Sequence, residues 1–268
     1  MLNSNVTNAT PALVLLASLV LSPAGFAQQD SADKTGTNPI NFTHDFRVYH
    51  EYSDLDTAGD GDQNVTTLEF RAPIMNGKWQ WRTRMRYTGV KADFNNDGFD
   101  DFDESGVGVV DMRFLTVPYL DMSKKRAVAF GVEVGLPTGD PGIGSQATTL
   151  GPQAFAVFFL PFGISNSIIA PAVQYKFDVD KEDGTADVEQ ILFDVFFLKT
   201  SADKKYWALI NPQFVLDQEN DTEFGFIDAE FGMMLGSSGQ SVFVRPSMGI
   251  GGDKFTKWGV ELGWKSIW

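Results

Sequence analysis

The sequence predicts an all-β chain: a transmembrane antiparallel up-and-down β-barrel of about 12 strands. Three observations lead there. From Ile40 onward the apolar residues recur with a period of two, not 3.6. The candidate strands number twelve, and their connections alternate between long and short. The composition is 13% aromatic with 26 glycines and no cysteine, which suits many short strands and tight turns held by packing and backbone pairing alone.

Ahead of the strands, Ala12 to Leu21 form an apolar run too short to span a bilayer, and Gly25-Phe-Ala27 supplies small residues at a cleavage spacing. Residues 1–27 therefore read as a secretory signal, although no Lys or Arg precedes the apolar run. Residues 28–39 read as a flexible periplasmic segment, and 40–268 as the barrel. No interior stretch is apolar for long enough to make a membrane-crossing helix. A net charge of −14 argues against nucleic acid as a partner, because phosphates would be repelled.

The first strand, 41–52, puts Phe42, Phe46, Val48 and Tyr52 on one face and Asn41, Thr43, Asp45, Arg47 and Glu51 on the other. The second covers 65–74. The third, 79–87, divides more cleanly: Trp79, Trp81, Met85 and Tyr87 against Gln80, Arg82, Arg84 and Arg86. The same alternation returns at 106–118, 126–137, 153–160, 167–178, 188–199, 205–216, 225–236, 241–250 and 257–268. Long connections (54–64, 91–105, 138–152, 179–187, 217–224, 251–256) fall at one end and short, often basic ones at the other, as in an outer-membrane barrel.

A water-soluble sandwich would bury the same apolar face inside. Two features favour the inverted arrangement. Aromatics gather near strand ends (Trp79, Trp81, Tyr87, Tyr119, Tyr175, Tyr206, Trp207, Trp258, Trp264, Trp268), as interfacial girdles require. The last segment also sets Trp258, Val260, Leu262, Trp264 and Trp268 on one face and ends on an aromatic. This resembles bacterial outer-membrane barrels, whose closing aromatic strand is read by the barrel-assembly machinery, and implies Trp264 and Trp268 as an assembly signal. The resemblance implies a Gram-negative outer-membrane location, with membrane lipid and lipopolysaccharide as surroundings.

Within that group the chain resembles the outer-membrane transporter family associated with the meta-pathway of phenol degradation. Ser105-Gly-Val-Gly-Val-Val-Asp-Met-Arg113 lies near that family's Gly-x-Gly-Asp strand start, with Val109 and Val110 inserted before Asp111. Gly131-Val-Glu-Val-Gly-Leu-Pro-Thr-Gly-Asp140 lies near its strand ending in Leu-Pro-Thr-Gly. The resemblance implies an outer-membrane channel for passive uptake of small solutes, among them hydrophobic or aromatic compounds, with no cofactor.

The polar strand face carries charges of both signs. Arg47, Glu69, Arg71, Arg82, Arg84, Arg86, Asp111, Arg113 and Glu133 are the candidate pore-lining residues. They either pair across strands and fill the barrel, or line a water path with a transverse field. The uncharged, glycine-rich connection 137–152, where Asp140 is the one acid, is a candidate constriction.

Residues 93–104 fit a calcium loop by residue type: Asp93, Asn95 and Asp97 at positions one, three and five, Phe99 at seven and Glu104 at twelve, with Gly98 at the sharp turn. The flanking segments are strands and Asp100 stands at the usually apolar position eight, so a structural calcium ion and a solvated acidic loop remain the alternatives. Four segments near the same end hold 20 of the chain's 35 acids, a mouth that attracts cations or simply stays hydrated. Enzyme chemistry is poorly supplied. His44 and His50 are the only histidines, no Gly-x-Ser-x-Gly occurs, and the zinc-protease motif lacks its second histidine. A lipid hydrolase and a closed structural or surface barrel with acidic calcium-binding loops are the rival readings.

Overall fold

The computed structural model describes residues 35–96 and 101–268. The signal assigned to 1–27, and residues 28–34 of the segment after it, lie outside them. Among the described residues no helix is long and apolar enough to cross a membrane, and one 3-10 turn at Pro161–Gly163 is the only helical element.

Thirteen antiparallel strands follow in chain order: β1 (Asp45–Leu55), β2 (Gly61–Ile74), β3 (Trp79–Ala92), β4 (Phe102–Val107), β5 (Val110–Asp121), β6 (Arg126–Leu136), β7 (Ala147–Phe159), β8 (Ser167–Lys181), β9 (Glu189–Thr200), β10 (Tyr206–Asp217), β11 (Thr222–Met234), β12 (Gln240–Ile250) and β13 (Thr256–Ile267). Each pairs with its chain neighbours except β4 and β5, which both pair with β3, and β1 pairs with β13, so the sheet closes on itself. The outer half of β3 pairs with β4, from Tyr87↔Val107 to Ala92↔Phe102, and its inner half with β5, from Trp79↔Thr116 to Arg84↔Asp111. β4 and β5 therefore occupy one place in a closed barrel of twelve, and they correspond to the single expected strand 106–118.

The break between them is built from glycine. Gly108 N donates to Arg86 O at 2.9 Å, and a Cβ on Gly108 would press on Arg86 and Thr88. The segment after β6 seals the gap: Asp140 Oδ2 accepts from Val107 N at 2.7 Å, Asp140 N donates to Val107 O at 2.8 Å, and Thr138 Oγ1 accepts from Val110 N at 2.9 Å. A side chain on Gly106 would collide with the Asp140 carboxylate. The candidate constriction thus spends its polar groups on the broken strand: the N–H and C=O of Val107, at the end of β4 and beyond the reach of β6, find partners in Asp140.

The strands are longer than the periodicity indicated, chiefly at the acidic end. β2 begins at Gly61 rather than 65, β3 runs to Ala92 rather than 87, and β7 begins at Ala147 rather than 153. Residues read as loop, among them Asp62 and Glu104, lie on strands, because pairing with a neighbour continues after the apolar alternation stops.

The apolar face points outward. Leu68, Met85, Phe130, Phe193, Ile210, Phe231, Met248 and Leu262 are all exposed on membrane-spanning strands, while Asp45, Arg47, Glu69, Arg82, Asp111, Glu230, Glu261 and Lys265 are buried. A soluble sandwich shows the opposite. Tyr87, Tyr175 and Trp258 form the aromatic rim at the acidic end; Tyr119, Tyr206, Trp264 and Trp268 form it at the short-turn end. One expected member differs: Trp207 is 3% exposed and faces the lumen.

Trp207 belongs to an apolar cluster inside the short-turn half, with Ala127, Val157, Ile168, Ala170, Leu198, Leu209 and Phe243. Ile40 packs against it, and Arg47 Nη2 donates to Gly36 O at 2.6 Å. Residues 35–40 therefore lie against the inner wall, where Ile40 gains an apolar seat and Gly36 a buried donor. Glycines make room for the rings. Gly232 is the cross-strand partner of Trp207, and Gly263 that of Phe243 and Tyr49; a Cβ at Gly232 or Gly263 would fall on the Trp207 or Phe243 ring. Gly232→Val is expected to lower stability by about 1–3 kcal/mol through overpacking, read as a drop in the urea midpoint of vesicle-inserted protein. Gly252→Val, where open space surrounds the Cα, is expected to leave that midpoint in place.

Candidate functional site

Charge in the lumen follows from the alternation itself: a strand whose odd residues meet lipid must turn its even residues inward. The nine expected pore-lining residues all face inside, and the structure gathers them into two groups.

In the first, β1 and β2 place Asp45, Arg47, Glu69 and Arg71 side by side near the short turns. Arg47 Nε lies 2.7 Å from Asp45 Oδ1 and 3.4 Å from Glu69 Oε1; Arg71 Nε lies 2.5 Å from Glu69 Oε1. Tyr49 Oη donates to Glu69 Oε2 at 3.2 Å. Arg47 and Glu69 are 6% and 3% exposed, so this group fills the wall rather than facing a water path.

In the second, the Arg82, Arg84 and Arg86 ladder of β3 converges on one carboxylate of β5. Asp111 lies 3.3 Å from Arg82 Nη2, 2.9 Å from Arg84 Nε and 2.6 Å from Arg86 Nη1. Glu133 on β6 meets Arg84 Nη2 at 3.3 Å and contacts Arg82 directly. Three guanidiniums against two carboxylates leave a surplus of one positive charge. Arg113, paired in register with both Arg82 and Glu133, adds another, since it forms no ion pair within 4.0 Å among the described residues.

A third group, on β11 to β13, centres on Glu230. It contacts Arg245, lies 3.5 Å from Lys265 Nζ and accepts from Trp207 Nε1 at 2.5 Å. Lys265 Nζ also sits 4.2 Å over the Trp207 ring and 5.3 Å from the Phe243 ring centroid, a fully buried ammonium held by cation–π contact and one carboxylate. Neither Trp207 nor Lys265 stood out in the sequence as lumenal. The run Tyr206-Trp-Ala-Leu-Ile is apolar on both faces, so no alternation marks its inner side.

Other inward charges have no counter-ion. Lys176 on β8, Asp194 on β9, Asp228 on β11 and Glu51 on β1 form no ion pair within 4.0 Å among the described residues, and Asp194 Oδ1 and Asn211 Oδ1 are buried without a hydrogen-bond partner. Counting β4 and β5 as one place, Arg113 and Asp228 stand six places apart round the ring of twelve, as do Lys176 and Glu51. Arg113 and Lys176 are thus carried on strands opposite those of Asp228 and Glu51. Charges without counter-ions in such an interior require water, so the lumen around them must be wet.

The acidic loop is only partly described, with Asp97 and Phe99 of the calcium pattern outside the described residues. Asp93 Oδ1 accepts from the backbone N–H groups of Asn95 and Asn96 at 3.1 and 2.6 Å, Asn95 Nδ2 donates to Asp101, and Glu104 is carried on β4 opposite Val90. Among the described residues no three His, Asp or Glu side chains converge as metal ligands. The two histidines have separate surroundings. His50 Nδ1 meets Thr66 Oγ1 at 3.0 Å, while the His44 ring stacks on Trp268 at 6.2 Å, and neither ring is bonded to a carboxylate among the described residues. Trp268 N also donates to His44 O at 3.0 Å, and Trp264 packs edge-on against Phe46, so both C-terminal tryptophans help join last strand to first.

No protein-family model matches the chain, and no curated protein sequence does. Solved structures do resemble it. An outer-membrane channel of Pseudomonas putida F1 superposes with a TM-score of 0.65 at 13% identity, covering 85% of this chain and 96% of that one. The NanC porin gives 0.55 at 10%, covering 84% and 99%; the translocator domain of the autotransporter NalP from Neisseria meningitidis gives 0.51 at 7%, covering 87% and 91%. Likeness at this identity is a likeness of fold, and the class is plain: a closed membrane-spanning β-barrel. The resemblance to phenol-degradation transporters rests on residues 105–113 and 131–140, which the structure brings together where Thr138 and Asp140 clasp the strand break.

Asp111→Asn removes the charge on which three arginines converge. It is expected to cost about 3–5 kcal/mol, the usual penalty for orphaning buried partners, read as a lowered urea midpoint. Lys124→Gln, at an exposed turn pair, is expected to change it by no more than about 0.5 kcal/mol.

Proposed function

We propose that the chain is a channel of the Gram-negative outer membrane that lets small solutes cross by passive diffusion. The observation that carries this reading is a set of lumenal charges that form no ion pair among the described residues: Arg113 and Lys176, on strands opposite those of Asp228 and Glu51, together with Asp194. A barrel built only for structure has no use for such groups, since apolar side chains of similar volume fill space at lower cost. The channel fold of the Pseudomonas putida and NanC proteins supports the reading by likeness.

Two finer points belong to the same proposal. The meeting of 105–113 with 131–140 gives the phenol-degradation resemblance a common structural seat, which supports aromatic or hydrophobic compounds among the solutes. Trp264 and Trp268, outward and terminal, serve as the signal read during insertion.

In a planar bilayer, refolded protein is expected to give discrete current steps. Replacing Arg82, Arg84, Arg86 and Arg113 by Gln is expected to move the reversal potential in a salt gradient toward cation selectivity, because the surplus positive wall disappears. Absence of current from protein shown to be folded and inserted contradicts the channel reading. Steps with an unmoved reversal potential remove the arginine wall from the path.

A further inference from the structure

The lumen is not uniform at its acidic end. Beneath the connection between β12 and β13 lies a cavity of about 310 Å³, bounded by β1, β11, β12 and β13. That volume is at the lower end of small-molecule pockets. Its walls combine the rings of Phe224, Phe226 and Phe255 with the carboxyl groups of Glu51, Asp228 and Glu261 and the cations of Arg245 and Lys254.

The charges do not cancel, as their partners make clear. Arg245 is committed to Glu230, in direct contact, and to Glu261 at 2.9 Å; Lys254 Nζ is committed to Asp56 at 2.5 Å. Glu51 accepts one long bond, from Ser53 Oγ at 3.3 Å, and Asp228 one, from Gln213 Nε2 at 3.3 Å. Neither has a cation within 4.0 Å among the described residues. Glu261 is 6% exposed, and its Oε1, although near Arg245, accepts no well-directed hydrogen bond. The cavity therefore holds two uncompensated carboxylates and a third with acceptor capacity to spare, all beside aromatic faces.

We propose that this cavity binds a small organic cation, an ammonium group carried on an aromatic or compact alkyl body. The ammonium would sit between Glu51 and Asp228, with its body against Phe224 and Phe226. Each part of the ligand answers an observed deficit. A primary ammonium offers three donors to under-used carboxylate oxygens. Ring faces welcome both the apolar body and the charge. An anion of the same size would meet the unpaired carboxylates, and a neutral isostere would leave them unpaired. The acidic mouth above raises the local concentration of any cation approaching from that side.

The site would serve the conduit proposed above, so its biological use rests on that reading, but occupancy does not require conduction, and the two are measured separately. Full-length protein in lipid nanodiscs is titrated calorimetrically with benzylamine, benzyl alcohol and benzoate at neutral pH. Saturable binding of benzylammonium at one site is expected, with the alcohol and the benzoate weaker by about tenfold or more. Glu51→Gln and Asp228→Asn are each expected to weaken benzylammonium by about tenfold while leaving the alcohol unchanged. Phe226→Leu, which keeps the charges, is expected to weaken both cation and alcohol.

Heat-modifiable migration on gels establishes that each variant is folded. Equal binding of all three probes, or benzylammonium binding that survives the Glu51/Asp228 double change in folded protein, overturns the proposal. So does absence of benzylammonium binding to the folded parent chain. A protein that binds benzylammonium as described but passes no current retains the site and loses the channel.

Discussion

Everything in this barrel descends from the demand that no backbone N–H or C=O meet hydrocarbon unpaired, where each orphan would cost several kcal/mol, on the order of 2–7 by transfer. β1 therefore has to find β13, although the chain between them is the whole barrel. The seam is reinforced where it is formed: Trp268 N bonds His44 O, Trp264 leans on Phe46, and Trp258 Nε1 reaches Asp54 across the same pair of strands. The same demand explains the clasp at residues 138–140. β4 rises beyond the end of β6, and without Asp140 and Thr138 its outer edge would stand open.

Closure fixes which side chains face which medium, and the lumen then divides by depth. Near the short turns its wall is apolar: rings of Trp207 and Phe243 laid over Gly232 and Gly263, with Ile40 packed against them. Beside these rings and beyond them it is charged, and the charges are of two kinds. Those around Asp111, Glu69 and Glu230 are compensated and hold strands together. Those at Arg113, Lys176, Asp194 and Asp228 form no ion pair among the described residues. Toward the acidic end the cavity between β1 and β11 carries the same imbalance into a space large enough for a solute.

The sequence was most legible where the lumen is polar. Trp79 to Tyr87 alternates with Thr83 as its one exception because lipid and charged lumen demand opposite chemistry, so the strand, its outward face and the arginine ladder could all be read from nine residues. Legibility failed where both faces are apolar. In Ile191-Leu-Phe-Asp-Val-Phe-Phe-Leu198 and in Tyr206 to Ile210, inner residues pack in the short-turn cluster and look like outer ones, which is why Trp207 read as a girdle residue. The strand break at Gly108 was hidden for a different reason. The break is sealed by the Asp140 carboxylate some thirty residues away, a tertiary contact without any local pattern. The partnering of the charges was equally out of reach: composition gives the number of arginines, but only register tells that three of them share Asp111 while Arg113 forms no ion pair among the described residues.

The central claim is that the charged face lines a wet interior and the apolar face lies in lipid. Because the chain has no cysteine, single thiols report on this directly. Arg113→Cys, Lys176→Cys, Met85→Cys and Leu262→Cys, each in protein inserted into bilayers, are exposed to a membrane-impermeant, charged thiosulfonate, and the labelling rate is followed by mass. Fast modification at 113 and 176, with 85 and 262 unreactive until detergent is added, is the predicted result. Protected thiols at 113 and 176, or reactive ones at 85 and 262, would mean that the faces or the hydration of the lumen have been assigned the wrong way round.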